Sequence, residues 1–438
     1  MIMMVEADIR TIETGDQKAR TPAIYSGNKI PDDPSYIITM QEWVTKVAKY
    51  SNKGIKLNFK DDETIDIAIP LLNSISDMIH APLWIHADVV AGPNEPEVNV
   101  DVEKLLSMSK NFPKFTLSLG WNTDWHPDVT QLRYGWHDVI NMAKTCATIR
   151  QPVSFAIRAV FAVRSIKQLK WLLSLTSRFT LTVWSSKYDI LPIPELIYFR
   201  KFMDPRKVYY DLPTNFINEI KGVEPVPDDP FVDGIRISKW NRNMWQPILL
   251  NTNSLALMGT EQLVLDGPGS WLISKHSYQP ELQRSKTTVV VGKIQFLTPI
   301  QLKESSPTLF KLFFRSSGVN PPAESKVQGV RLMISNHGDL SLTAQNLKQA
   351  RTFGMQSTAK LPRSECYTFR FVDKGEGYPV YSEVKTATCE PVEEGKYEPT
   401  SVELHLSVPY DGDMQLFYIS LVAEGGKDPI ILEDLVVS

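Results

Sequence analysis

Residues 54–60 read GIKLNFK, residues 82–88 PLWIHAD and residues 153–159 VSFAIRA. Alternate side chains of a strand point to opposite faces, so Ile55, Leu57 and Phe59 form an apolar side while Lys56, Asn58 and Lys60 form a polar one. The same phase places Trp84, His86 and Asp88 on the polar side, followed by Ser154, Ala156 and Arg158. Thr180, Thr182 and Trp184, then Tyr209 and Asp211, continue the series. Strands of an open doubly wound sheet are apolar on both faces. One-sided polarity therefore predicts an α/β barrel of the TIM type, with its polar side chains gathered in a mouth at the C-terminal strand ends.

Outward from these runs, β-type segments alternate with amphipathic ones, the rhythm of parallel strands joined by crossover helices. The strands read are MIMMVEADI, GIKLNFK, PLWIHADVV, FTLSLG, VSFAIRA, FTLTVW and KVYYDL, with TPAIYSG as an extra extended piece. TMQEWVTKVAKYSN, NVDVEKLLSMSKNF and SIKQLKWLLSLTSR read as helices between them. Seven strands are one short of a closed barrel, and the first is the one expected to be missing, because the sequence opens directly on a strand. After residue 221 the stretch GVEPVPDDPF reads as a linker over 222–234. From 235 to 438 the pattern becomes all-β: TTVVVGKIQFL, LFKLFFRS, GVRLMISN, CYTFRFV, SVELHLSV, LFYISLV and IILEDLVV, separated by turn residues, predict a β-sandwich of jelly-roll type.

Composition narrows the function classes. With 47 basic against 50 acidic residues and a formal charge of -3, nothing in the net charge favours a nucleic acid partner. No apolar run reaches the ~18 residues of a transmembrane segment, and the opening MIMMVEADIRTIE is too short and too acidic for a signal peptide. Of the 3 cysteines, Cys366 and Cys389 lie close together in the β-rich half, where a disulfide and two free thiols are equally open readings.

The polar face holds the candidate chemistry. Glu6 and Asp8 place two carboxylates on one strand face, and with Asp88 they could hold a hard divalent cation through oxygen ligands. Lys60 and Arg158 could take the anionic group of a ligand, with Trp184 beside them. The plainer reading, a structural ion-pair network, stands alongside. His86 is the one histidine expected to face the mouth; His126 lies in the loop GWNTDWHPD with Trp121 and Trp125, where either recognition or packing fits. No Ser-His-Asp set, phosphate-cradling glycine loop or cysteine metal motif is present.

Taken in order, SNKGIKLNFK, PLWIHADVVAGPN, FTLSLGWNTDWHP, PVSFAIRAVF, FTLTVW and KVYYDL resemble the signature segments of the menorin family. That family is in turn similar to glycerophosphodiester phosphodiesterases, which are metal-dependent barrels. The resemblance runs to about Asp211; beyond it, DPIILEDLVVS is similar to the last strand of jelly-roll carbohydrate-binding modules. It implies that Glu6 and Asp8 match a Glu-x-Asp metal pair and that Lys60 matches a basic residue following the third acidic ligand. Asn58 stands where that third carboxylate belongs, and Tyr25 or Ser26 stands near the place of a catalytic histidine. The other histidine of the parent mechanism would sit on the missing strand.

The resemblance implies a pseudoenzyme: an extracellular recognition protein that patterns sensory dendrite branching through an immunoglobulin-type neural adhesion molecule and a leucine-rich-repeat receptor, with a glycan as a further partner. No cofactor is required on this reading, although the vestigial pair would accept Ca or Mg. The absence of a signal peptide keeps a cytoplasmic form open. The alternative is a metal-dependent phosphodiesterase or lyase acting on glycerophosphodiesters, with Glu6, Asp8 and Asp88 on the cation and His86 and Lys60 as catalytic groups. Loss of both acid/base histidines weighs against it, because each such step contributes roughly 10²–10⁴-fold in rate.

Overall fold

The computed structural model describes the chain except for residues 1–3, 15–18, 26–28, 96, 99, 110–114, 125–131, 225–234, 237–244, 250–253, 276–286, 298–305, 317–326, 346–355, 375–377, 391, 393–395, 409–417, 427 and 438. Trp125, His126 and Ser26, and most of the stretch read as a linker, lie outside the described residues. Two compact units divide the chain, Met1–Asp228 and Asp229–Ser438.

The first unit carries strands β1 (Met4–Thr14), β2 (Ala19–Ile24), β3 (Ile38–Thr39), β4 (Gly54–Phe59), β5 (Leu83–Ala91), β6 (Thr116–Asn122), β7 (Val153–Arg158), β8 (Phe179–Trp184) and β9 (Val208–Asp211). Its helices are α1 (Met40–Tyr50), α2 (Asp62–Ile75), α3 (Val102–Ser109), α4 (Trp136–Thr145), α5 (Ala159–Ala162), α6 (Ile166–Ser174), α7 (Ile193–Phe202) and α8 (Thr214–Ile220). The strands form one nine-stranded sheet in the order β3-β2-β1-β4-β5-β6-β7-β8-β9. β1 and β4 to β9 run parallel, while β2 and β3 are antiparallel additions.

This corrects the expected TIM-type barrel. Closure requires the last strand to pair with the first, whereas the order ends at β3 on one side and at β9 on the other. The physical reason lies in the end strands. The second half of β1, Arg10 to Thr14, pairs with β2 and carries the sheet sideways to β3, and among the described residues β9 pairs with β8 alone. Together with the second unit, the molecule is dominated by sheet. The parallel part nonetheless curls, because the rings of Trp84 on β5 and Tyr209 on β9 meet at 5.7 Å although three strands separate them in the sheet.

Period-2 alternation decides the two faces. Ile55, Leu57, Phe59, Ile85, Leu117, Leu119, Phe155 and Leu181 are fully buried on one side, beneath helices such as α2, which buries Ile65, Ala68, Ile69 and Leu72. Removing that much apolar surface from water, at roughly 25 cal/mol per Å², is what holds helices to sheet. The other face carries the polar rows described below.

The second unit contains β10 (Ile235–Arg236), β11 (Trp245–Leu249), β12 (Leu255–Met258), β13 (Gln262–Asp266), β14 (Ser270–Ser274), β15 (Thr288–Phe296), β16 (Thr308–Ser316), β17 (Gly329–Ser335), β18 (Asp339–Gln345), β19 (Gln356–Lys360), β20 (Cys366–Asp373), β21 (Val380–Ala387), β22 (Ser401–Leu406), β23 (Tyr418–Gly425) and β24 (Ile430–Val437). One sheet runs β12-β13-β24-β15-β20-β21-β22 with β10 on β24, and the other runs β11-β14-β23-β16-β17-β18-β19. Their inner faces share one core: Phe310 meets Phe369 at 5.9 Å and Phe314 meets Phe371 at 5.0 Å across the sheets. A buried Arg315–Asp373 ion pair also crosses between them. Gly338 closes the β17–β18 turn at φ +84, where a Cβ would lie 2.2 Å from the Leu361 carbonyl oxygen. Cys366 and Cys389 are joined as a disulfide, and Cys146 is a free buried thiol whose pKa burial pushes up to about 12.

Candidate functional site

Parallel register assembles the polar face into rows. Asp8, Asn58, His86, Ser118, Ser154 and Thr180 lie side by side across β1 and β4 to β8. Asp88, Gly120, Ala156, Thr182 and Tyr209 form a second row. Arg158, Trp184 and Asp211 form a third. Beyond Lys60 the chain turns into α2, whose first turn Asp61 caps by accepting from the Thr64 amide at 2.7 Å. That cap ends β4 where its last polar side chain reaches the mouth.

Asn58 is the centre of the first cluster. Its Nδ2 donates to a Glu6 carboxylate oxygen and, at 3.0 Å, to Asp8 Oδ1. Lys56, itself 7% exposed, meets the other Glu6 oxygen at 3.2 Å. The amide thus holds two carboxylates together with its two hydrogens, and its own Oδ1 is buried without a hydrogen-bond partner.

Asp88 belongs to a second cluster. Its carboxylate lies 3.8 Å from Lys60 and 3.6 Å from His86 Nε2. Burial raises its pKa, and Lys60 and Lys56 oppose that. His86 Nδ1 sits 2.9 Å from the Ser118 carbonyl oxygen, an acceptor that requires the proton on Nδ1 and leaves the lone pair on Nε2. Burial first, then Lys56 and Lys60, drives its pKa well below the ordinary value, so the ring is neutral at pH 7.

Arg158 and Trp184 form a third group. The Arg158 guanidinium grips Asp189 through Nε at 3.0 Å and Nη2 at 2.6 Å, and it lies 5.4 Å from the centre of the Trp184 ring. Since the Asp189 side chain is fully buried, the fork expected to receive a ligand anion is occupied from within.

The structure therefore brings Glu6 and Asp8 together, sets Asp88 with Lys60 and His86, and ties Arg158 and Trp184 to Asp189. Sequence reasoning missed Asp189, which stands in the loop SSKYDI with no motif around it. Gly120 was missed too. A Cβ there would lie 2.1 Å from Asp88 Oδ1 and 3.2 Å from His86 Cε1, so only glycine leaves room for that pair. Its signal, a lone glycine ending the apolar strand FTLSLG, was present.

A divalent cation of the kind the resemblance implies does not fit this donor set. The place between Glu6 and Asp8 is filled by an amide nitrogen, and Lys56 neutralises Glu6 from the other side. Among the described residues no three His, Cys, Asp or Glu side chains are grouped to hold a metal.

The geometry defines an α/β unit with an internally paired polar mouth, followed by an all-β unit of two sheets. The Menorin N-terminal domain model matches residues 1–217 and the Menorin C-terminal domain model residues 252–435. The chain belongs to the menorin family. Protein FAM151B of Homo sapiens is 36% identical over 210 residues, spanning 48% of this chain and 74% of that protein. Among solved structures, a legume lectin-like domain from Entamoeba histolytica aligns over 45% of this chain and 89% of that one, at 8% identity and a TM-score of 0.31. An endo-1,3-beta-glucanase from Streptomyces sioyaensis aligns over 46% and 90%, at 12% identity and a TM-score of 0.29. Likenesses of that size carry no conclusion about ligands.

Proposed function

We propose that this protein is a non-enzymatic, extracellular recognition protein of the menorin kind, a cue that patterns sensory dendrites through an immunoglobulin-type adhesion molecule and a leucine-rich-repeat receptor. The observation that carries the non-enzymatic part is Asn58. Its amide takes the position that a cation would need between Glu6 and Asp8, and it supplies hydrogen-bond donors instead of a third negative charge. Without the cation, a phosphodiester in the mouth would meet Glu6, Asp8 and Asp88 with nothing to screen them except the already paired Lys56 and Lys60. Family membership supports the recognition role. The Cys366–Cys389 bond supports an oxidising, extracellular compartment, because cytosolic thiols stay reduced. No helix among the described residues is long and apolar enough to cross a membrane.

One feature favours the rival phosphodiesterase or lyase: His86 is neutral with its Nε2 lone pair turned to the mouth, as a general base would be. Beside it Asp88, whose pKa burial raises, is tied to Lys60 at 3.8 Å, and the Asn58 amide fills the place between Glu6 and Asp8 where a cation would hold a phosphodiester for the pair. The partner reading is tested by applying the purified full chain to cells displaying the adhesion molecule, the leucine-rich-repeat receptor, or both. Retention on cells carrying both, above either alone, is expected. Equal retention on bare cells would overturn the proposal.

A further inference from the structure

Behind the mouth, toward the N-terminal ends of the strands, the curled sheet encloses a cavity of about 1050 Å³. It is just above the usual range of about 300–1,000 Å³ for small-molecule sites. It lies wholly within the first unit, between β1 and β9, and is floored by α8. Two large aromatic side chains face it edge to face, Trp84 and Tyr209, with ring centres 5.7 Å apart and planes at 72°. Tyr209, on the end strand β9, is 38% exposed.

Around this aromatic pair stand polar groups that the protein does not itself use. Among the described residues neither the Tyr209 hydroxyl, the Asp211 carboxylate nor the Asn218 amide makes a hydrogen bond. Thr116 and Lys221 complete the polar wall, and Arg178 has one Nη donating to the Ile149 carbonyl oxygen while the rest of its fork is available. Planar side chains such as Asp, Asn and Arg can each engage two neighbouring hydroxyls of one ligand.

Charge decides the ligand class. Glu6 and Asp211 are carboxyl groups, the first paired to Lys56 at 3.2 Å and the second with its pKa raised by burial and by Glu6. Arg178 and Lys221 are positive. An anion entering the cavity meets Asp211 and a cation meets Arg178 and Lys221, so either charge leaves one desolvated repulsion. A neutral ligand rich in hydroxyls and carrying an apolar face meets neither. A pyranose ring has this character: its C–H face lies on aromatic rings and its hydroxyls take both donors and acceptors.

We propose that this cavity binds a neutral saccharide, such as the uncharged end of a glycan chain. The inference rests on the recognition reading and gives chemical form to its glycan partner; the cavity shares Glu6 and Lys56 with the mouth, while the residues that test it, Trp84 and Asp211, stand outside the Asn58, Asp88 and Arg158 clusters. Hydrolysis at the mouth would overturn that reading and leave this one standing, while a cavity that ignores sugars would do the reverse.

The full chain is titrated with maltose, cellobiose and N,N′-diacetylchitobiose, with the cationic glucosamine dimer and the anionic galacturonate dimer as charged counterparts. Saturation-transfer NMR and tryptophan fluorescence report binding. At least one neutral disaccharide is expected to saturate at a Kd of about 1 mM or below, on the scale of a modest polar site. Trp84→Ala and Asp211→Asn should each weaken it about tenfold, the scale of a dominant contact, while Lys60→Ala at the mouth leaves it unchanged. Asp211 is at the exposed end of β9, so its variant stays informative if Trp84→Ala unfolds. Failure of all three neutral sugars to saturate, binding that survives both cavity variants, or equal binding of a charged dimer would overturn the proposal.

Discussion

Asn58 shows how one residue can change the character of a polar mouth. As a donor it stabilises two carboxylates that would otherwise repel, and as a neutral group it leaves no strong cation site. Asn58→Asp exchanges that donor for a third carboxylate. The variant should melt below the parent in chelator, recover on adding Ca, and bind Ca or Tb at least about tenfold more tightly than the parent. Equal metal binding by the two proteins would contradict this role. His86 carries the pH dependence. Above its ordinary value of 6.5 the ring is neutral in both folded and unfolded chains, so it adds no slope. As pH falls below that point the unfolded chain takes up a proton that the folded site refuses, and stability drops by at most about 1.4 kcal/mol per pH unit. Asp88 has the opposite sign: raised above 3.8 by burial, it protonates first in the folded state and softens the loss at lower pH. Denaturant unfolding across pH 7 to 4.5 should therefore show a decline that His86→Gln flattens. An identical slope in that variant would exclude His86 as its source.

At the scale of elements, the sheet has two unequal edges. The parallel half of β1 is paired on one side by β4, and β9 is paired on one side by β8. The centre, β5 to β7, is paired on both. Amide hydrogen exchange should rank accordingly, with Val208–Asp211 and Met4–Ile9 exchanging faster than Leu117–Gly120 and Val153–Ile157. Uniform protection across these strands would mean that another segment covers the edges. The seven parallel strands were legible because each alternates apolar and polar residues, and the phase read from GIKLNFK places Lys56, Asn58 and Lys60 on the face where they lie. Closure was not legible, because it depends on where Arg10 to Thr14 turn, and a strand that changes partners halfway has no mark in its pattern. In the second unit strands such as VYSEVKTA and QSTAK were not legible: Ser382 and Thr386 are polar residues on the buried face of the first, and Gln356, Thr358 and Lys360 are exposed on the second, so both have a weak apolar signal. The candidate site was legible residue by residue but not pair by pair. That Arg158 would face Asp189, 31 positions away, rather than Asp88 follows from a loop path that no local pattern encodes.

Two compact units make up the whole molecule, one bearing a polar mouth and a cavity, the other stapled by a disulfide whose removal would cost roughly 3 kcal/mol. Three of the charged groups in the mouth are answered by others of the same chain, Glu6 by Lys56, Asp88 by Lys60 and Arg158 by Asp189, and Asn58 bridges Glu6 to Asp8. A mouth so satisfied holds its shape and presents a fixed surface, which suits recognition better than turnover, where unspent charge must be ready for a transition state. The most direct test is to incubate the purified full chain with glycerophosphodiesters in the presence of Mg or Ca and to follow release of the alcohol. No hydrolysis above that of the metal alone is expected. Metal-dependent turnover that disappears in both Glu6→Ala and His86→Ala would contradict it.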